Sequence, residues 1–257
     1  MQHRLVNAWV WTVTILLVIV GFVYVSLVWL CTAPFDPGRY AAGRAFRHIA
    51  MWQVWVNPYW HFRTGGFRPP NPRLPYVVVS NHESYADIFL LSHLPWEMKW
   101  LSKDTIFRIP VMGWMMRMAL DVPVRRGDAT SGRDALELCR DRLSKKVSVM
   151  IFPEGTRSRT ADLLPFKDGA FRLAIEAGVP ILPIAVAGTR RAMAKGTFQF
   201  RRATAECRVL EPIATTGLTT TDVAALRNRV RRTIDEARRE LQRELGIAPL
   251  TADLEPA

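Results

Sequence analysis

Between Leu5 and Phe35 the chain carries no charged side chain, and Trp9–Leu30 is almost wholly apolar. A helix needs roughly 20 residues to cross the hydrocarbon core of a bilayer, where the backbone must satisfy its own hydrogen bonds. The stretch is long enough, so a membrane-associated helix is the first expectation. A cleaved signal peptide would have an apolar core of about 7–15 residues, then small residues at a cleavage site. This run is longer, and Leu30 before Cys31 is a poor context for lipoprotein processing. A retained anchor is expected. Pro34, Pro37 and Gly38 then end the helix, because proline removes a backbone donor and glycine favours a turn.

Tyr40–Trp60 mixes Arg44, Arg47 and His48 with Ile49, Met51, Trp52, Val54 and Trp55. Two readings of this segment stay open: an amphipathic helix lying in the membrane interface, or a helix docked on the following domain. Five of the nine Trp fall in the first 55 residues, which suits an interface where the ring is half apolar and the N–H still finds a partner. Arg39, Arg44 and Arg47 follow the anchor and only Arg4 precedes it. The positive-inside tendency then puts the rest of the chain on the cytoplasmic face, the inner membrane if the source is bacterial.

The net charge of +12 asks for an anionic partner, either nucleic acid or the phosphates of lipids and substrates. Charge alone does not choose between them, but no recognisable nucleic-acid module is present. The three cysteines, Cys31, Cys139 and Cys207, have no paired spacing. That suits neither a disulfide framework nor a zinc site, and it fits a reducing compartment.

Beyond the proline-rich connector at Phe67–Leu74, apolar runs and amphipathic segments alternate. Strands are expected at Tyr76–Ser80, Leu120–Val124, Val147–Phe152, Ile181–Ala187 and Ala205–Leu210. Helices are expected at Ala86–Leu94, Asp128–Lys146, Phe166–Ala177 and Asp222–Leu245. In the last of these, Val223, Leu226, Val230, Ile234 and Leu241 form one buried stripe beside an arginine-rich solvated face. The alternation predicts an α/β domain, a mixed, mostly parallel central sheet flanked by helices. Residues 1–66 are expected to form the membrane-associated segment and 67–257 the folded domain.

Two clusters follow apolar strands, at the strand ends where open α/β sheets collect their sites. The first is Asn81-His82-Glu83-Ser84-Tyr85-Ala86-Asp87. Histidine titrates near neutral pH, and a carboxylate bonded to its second nitrogen holds the tautomer a general base needs. Residues five apart on one helix diverge by roughly 140°, so His82 and Asp87 meet only if His82 precedes the helix that carries Asp87. An ordinary helix-capping segment is the plainer reading of this stretch by itself. The second cluster is Phe152-Pro153-Glu154-Gly155-Thr156-Arg157-Ser158. Gly155 allows close backbone approach and the Arg157 fork suits phosphate, with Glu154 available to bind a hydroxyl or orient Arg157. Arg125 or Arg126 could add positive charge to the same phosphate. Pro180-Ile181-Leu182-Pro183-Ile184 reads as an apolar wall.

In this order and spacing, the elements resemble the glycerolipid acyltransferases, and most of all the 1-acylglycerol-3-phosphate acyltransferase branch. The resemblance spans roughly Tyr76 to Ile213. Asn81, His82 and Asp87 match its first motif, Phe152–Ser158 its third block, and Pro180 and Pro183 its fourth. It implies an acyltransferase domain with His82 as general base and Asp87 as its orienting partner. It further implies Glu154, Gly155, Thr156 and Arg157 as binders of a phosphate-bearing acceptor, with Asn81 and Arg125 also among the substrate-binding residues. Around Arg125 the chain departs from the family pattern, with Pro123 where a bulky apolar residue is common. The implied reaction is direct acyl transfer from acyl-CoA or acyl-carrier protein to a membrane lipid. No metal, other cofactor, covalent acyl-enzyme or nucleic acid is expected. The alternatives are the same chemistry on another acceptor, such as glycerol-3-phosphate, a lyso-aminolipid or another lysophospholipid, and a non-catalytic basic membrane-surface protein.

Overall fold

A computed structural model describes residues 2–158, 162–193 and 199–247. Two helices come first, α1 (Gln2–Thr32) and α2 (Tyr40–Trp55), followed by strands β1 (Trp60–Gly66) and β2 (Val77–Ser80) and helix α3 (Ala86–Leu91). Strand β3 (Met98–Lys103) leads through a 3-10 turn (Asp104–Arg108) into α4 (Met112–Met118) and β4 (Val122–Val124). Then come α5 (Ala129–Ser144), β5 (Ser148–Ile151), α6 (Gly169–Ala177), β6 (Ile181–Ala187), α7 (Thr189–Ala192), β7 (Ala203–Val209) and α8 (Val223–Glu244). The strands form one sheet in the order β1-β7-β6-β2-β5-β3-β4. Among the described residues only the β6–β7 strand pairing is antiparallel. The expected mixed, mostly parallel architecture is the one observed.

Both faces of this sheet are covered, which is why β2 reads as an unbroken Val-Val-Val run rather than an alternation. Val77 and Val79 face α5, α6 and α8 through Cys139, Phe171, Val230 and Ile234. Val78 faces the opposite way, with Leu90, Leu91, Trp96 and Trp100. Successive side chains on a strand alternate sides, so the run feeds both cores.

Strands β1 and β3 escape the sequence reading. In β1, Trp60 and Phe62 point together and stack with ring centroids 5.0 Å apart, while His61 and Arg63 alternate with them. The strand lies at the sheet edge and ends on two glycines, so its pattern is weak. In β3 the cause is a charge in the interior. Lys99 is fully buried and donates to the Arg39 carbonyl at 2.8 Å and to Glu97 at 3.1 Å. Arg47 of α2 completes the cluster, 2.5 Å from Asp121 and 3.8 Å from Glu97. Burial pushes the Glu97 carboxyl up and the Lys99 ammonium down, and their mutual attraction opposes both shifts. The backbones come this close because position 43 has no side chain. A Cβ on Gly43 would collide with the Glu97 carboxylate.

Of the two readings open for α2, the structure therefore supports docking on the domain: Arg47, Ala42, Ala45 and Ile49 are buried and the helix packs on α1. The arginines used to orient the chain are also tied inward. Arg44 donates to the Leu94 and Trp96 carbonyls at 2.7 and 3.2 Å, and Arg39 to that of Ala33. By contrast α1 keeps one apolar face uncovered. Within Arg4–Thr32 the most apolar 18-residue window has a mean hydropathy of 2.7, and only 11% of it is buried. Leu16, Ile19, Val23 and Leu27 form this outward stripe.

Removing one member of a buried ion cluster strands its partner. Asp121→Ala is expected to lower the unfolding free energy by about 3–5 kcal/mol, while Arg125→Ala stays within about 0.5 kcal/mol. Urea denaturation of the detergent-solubilised protein checks both.

Candidate active site

The two clusters meet at the carboxyl end of the parallel strands. Strand β2 stops at Ser80, α3 starts at Ala86, and the turn between them carries His82. The His82 ring nitrogen Nδ1 lies 2.7 Å from Oδ2 of Asp87, which sits in the first turn of α3. The same oxygen accepts the Glu83 and Ser84 backbone N–H groups at 2.8 and 3.0 Å. Its other oxygen accepts the Thr189 hydroxyl, from the first residue after the β6–α7 turn. The carboxylate is fully buried and held by four donors, so it has one available orientation. In the tautomer whose Nδ1–H donates to Asp87, the imidazole lone pair lies on Nε2.

The second cluster grips the first directly. Phe152 stacks on the His82 ring, with centroids 4.0 Å apart and planes at 16°. Glu154 Oε1 accepts the His82 N–H at 2.8 Å, and its Oε2 accepts the Leu164 N–H at 2.9 Å. The Ser158 N–H in turn donates to the His82 carbonyl at 3.0 Å. Ring, N–H and C=O of the same histidine are therefore all set by the loop after β5.

Several expected binders make contacts within the protein. Glu154 is buried, and each carboxylate oxygen accepts a backbone N–H, so it shapes the turn that carries His82. Asn81 is likewise committed: its amide donates to the Val186 carbonyl at 2.9 Å and accepts the Val186 N–H at 2.8 Å, tying the end of β2 to β6. Arg125 is exposed and pairs with Asp128 at 3.2 Å, within its own turn. Its neighbour Arg126 is the arginine in electrostatic reach of the site. Desolvation pulls its guanidinium below the ordinary range; Tyr85 opposes that and the like charge of Arg157 adds to it.

Arg157 and Gly155 lie where the sequence reading expects them, in the loop beside His82. The Arg157 guanidinium carbon sits 3.8 Å from the Tyr85 ring centroid, a cation–π contact that lays it across the first cluster. Gly155 adopts φ +70°, and a Cβ there would fall 2.9 Å from Lys167 Nζ. The Lys167 ammonium thus occupies the space over the bare glycine. Thr156 is exposed at the rim. Of the pair Arg125 and Arg126 left open by the sequence, Arg126 is the one near Tyr85 and Arg157, while Lys167 and Thr189 carry no motif that marks them. Thr189 had a usable signal, since it directly follows a buried strand at the same sheet edge.

A sheet of this topology with a His–Asp pair at its carboxyl edge defines a recognisable class. Residues 66–187 match the family model described as Acyltransferase. The chain's similar relatives are 1-acyl-sn-glycerol-3-phosphate acyltransferases. The chloroplastic protein of Arabidopsis thaliana is 39% identical over 190 residues, covering 72% of this chain and 50% of that one. The human alpha form is 37% identical over 174 residues, covering 66% and 61%. The chain thus spans about half to three-fifths of these relatives' lengths. The crystal structure of the 1-acyl-sn-glycerophosphate acyltransferase PlsC of Thermotoga maritima shares the fold, with a TM-score of 0.76 and 22% identity over 94% of this chain and 96% of that one.

Glu154 and Glu83 separate structural from ligand-binding roles by experiment. Glu154→Gln leaves one acceptor for two N–H donors and is expected to destabilise the fold by about 1–3 kcal/mol. Any effect on turnover should fall on kcat, with the acceptor KM unchanged. Glu83 is buried, and its carboxyl is pushed up to about 7 by burial first and by Asp87 second. The unfolded chain loses this proton at lower pH than the folded one. Glu83 therefore favours the fold in acid and loses that contribution as pH rises from the ordinary carboxylate range to about 7. Melting curves across that window should slope less in Glu83→Gln than in the wild type.

Proposed function

We propose that this chain transfers a fatty acyl group from a thioester to the free hydroxyl of 1-acylglycerol-3-phosphate, giving phosphatidic acid. The observation that carries the reading is the 2.7 Å contact between His82 Nδ1 and the buried Asp87 carboxylate. His82 Nε2 takes the hydroxyl proton as the oxygen attacks the thioester carbonyl. Asp87 steadies the imidazolium that forms. The tetrahedral adduct then collapses, the carbon–sulfur bond breaks, and the imidazolium returns its proton to the leaving thiolate. No metal or covalent acyl-enzyme enters this sequence. Base catalysis of this kind contributes about 10²–10⁴-fold, and holding the hydroxyl in place adds a comparable or larger factor.

Arg157 holds the acceptor phosphate, with Arg126 and Lys167 adding positive charge around it. Fixing the phosphate sets the distance from hydroxyl to Nε2. The names of the matched relatives support this acceptor over others that the same machinery could serve. The donor is a thioester of coenzyme A or of acyl-carrier protein. We assign α1 to the bilayer on its uncovered apolar face and the domain to the cytoplasmic side, where free thiols such as Cys31, Cys139 and Cys207 persist.

Acyl transfer to lysophosphatidic acid by the purified protein tests the reading, with glycerol-3-phosphate and other lysophospholipids as competing acceptors. His82→Ala should lose about 10²–10⁴-fold in kcat with the fold retained. Arg157→Ala should chiefly raise the KM for the phosphorylated acceptor. Full activity in His82→Ala would remove the mechanism, and an Arg157→Ala effect confined to the donor would remove the phosphate assignment.

A further inference from the structure

The turn from the 3-10 segment into α4 exposes an apolar tip. Ile109 and Trp114 are each 52% exposed, and Pro110 between them is also open to solvent. Val111 adopts φ +65°, a conformation rare for a β-branched residue and one that sharpens the bend. Chain economy alone would not select an Ile and a Trp for an exposed bend.

The tip is continuous with the uncovered face of α1. The Trp114 and Phe22 rings lie 5.7 Å apart, and Ser26 donates to the Met118 sulfur at 3.9 Å. The two pairings advance together, so α4 runs alongside α1 in the same direction. Ile19 and Val23 of α1, 56% and 55% exposed, flank this contact along the outward stripe. Around the tip stand the exposed cations Lys103, Arg108 and Arg117. The acid beside them, Asp104, is paired with Arg108 at 3.0 Å. An apolar tip holding a Trp, with a collar of Lys and Arg, has the chemistry of a headgroup-level membrane contact.

Its location gives the contact a purpose. Trp100 of β3 pairs with Met150 of β5, which pairs with Val78 of β2, all in parallel. Lys103, where the turn begins, is therefore at the same sheet edge as His82. Seating this edge on a bilayer would bring a lipid acceptor to the histidine by lateral movement, without extracting its acyl chain into water.

We infer that the Ile109–Trp114 turn is a second membrane-contacting element, whose tip enters the headgroup region of an anionic phospholipid bilayer while Lys103, Arg108 and Arg117 meet the phosphates. The inference rests on the assignment of α1 to the bilayer, and the test separates the two. Cys31→Ser removes the exposed thiol. Cys139 and Cys207 stay buried, with the Cys139 thiol pushed up to about 12, and resist labelling. An environment-sensitive fluorophore is then attached in turn at Ile109→Cys, at Ile15→Cys on α1, and at Thr216→Cys. Thr216 is an exposed site near the opposite sheet edge, where Ile213 pairs with Ile181 at the start of β6.

The full-length protein is placed in vesicles of phosphatidylcholine and phosphatidylglycerol carrying nitroxide lipids at headgroup or mid-chain depth. The expected result is a blue shift and headgroup-depth quenching at position 109, mid-chain quenching at 15, and neither at 216. Quenching at 15 with position 109 behaving like 216 overturns the inference and leaves the α1 assignment standing. No quenching at either position overturns both.

Discussion

The site depends on the backbone of one residue being held from both sides. The N–H of His82 is taken by Glu154 and its carbonyl by the Ser158 N–H, while Phe152 covers the ring. These contacts cross between two turns about 70 residues apart in the chain, brought together because β2 and β5 are parallel neighbours that end at the same edge. A histidine on a free loop would have to be ordered at each turnover, at an entropic cost. Here it is ordered on folding, and Asp87 has only to set the ring. The glutamate of the Phe-Pro-Glu-Gly-Thr-Arg-Ser stretch thus serves the base of the neighbouring loop, leaving Arg157 as that stretch's cation for an anion.

A second constraint lies on the far side of the sheet. Arg47, Asp121, Glu97 and Lys99 form a buried charge cluster under α2, made possible by the bare backbone of Gly43. Such clusters contribute little net stability compared with an apolar core, but they penalise any arrangement that leaves one charge unpaired. The penalty fixes α2 against β3, and α2 in turn holds α1 along the domain. The apolar helix is therefore fastened to the catalytic sheet rather than tethered by a linker, and its free face has a set direction relative to His82.

On the proposed reading, that fastening joins the chemistry to the bilayer. The outward stripe of α1, the exposed turn before α4 and the histidine edge all belong to one arrangement of packed elements. A lipid acceptor has two ends of opposite character, a phosphate and an acyl chain. The domain answers with cations around a buried dyad at one edge and uncovered apolar side chains beside it.

Much was determined by the sequence alone. The charge-free run of α1, the strands β2, β5 and β6, and the amphipathic stripe of α8 were legible because burial imposes a period or a length on local composition. The requirement that His82 precede the helix carrying Asp87 followed from helix geometry, without any coordinates. What only the tertiary structure decided are the roles that depend on partners distant in the chain. Glu154, Asn81 and Arg125 have the side chains of ligand binders, yet two of them are committed to backbone groups and the third to a local ion pair. Thr189 and Lys167 reach the site from turns whose composition is ordinary, and only the fold chooses Arg126 over Arg125. Strand β3 was hidden because its interior lysine is tolerable only where Glu97, just before the strand, and the Arg39 carbonyl, far back in the chain, receive its ammonium. A side chain's type limits which bonds it can make, but which bond it does make is set by the groups that folding brings within about 3 Å of it.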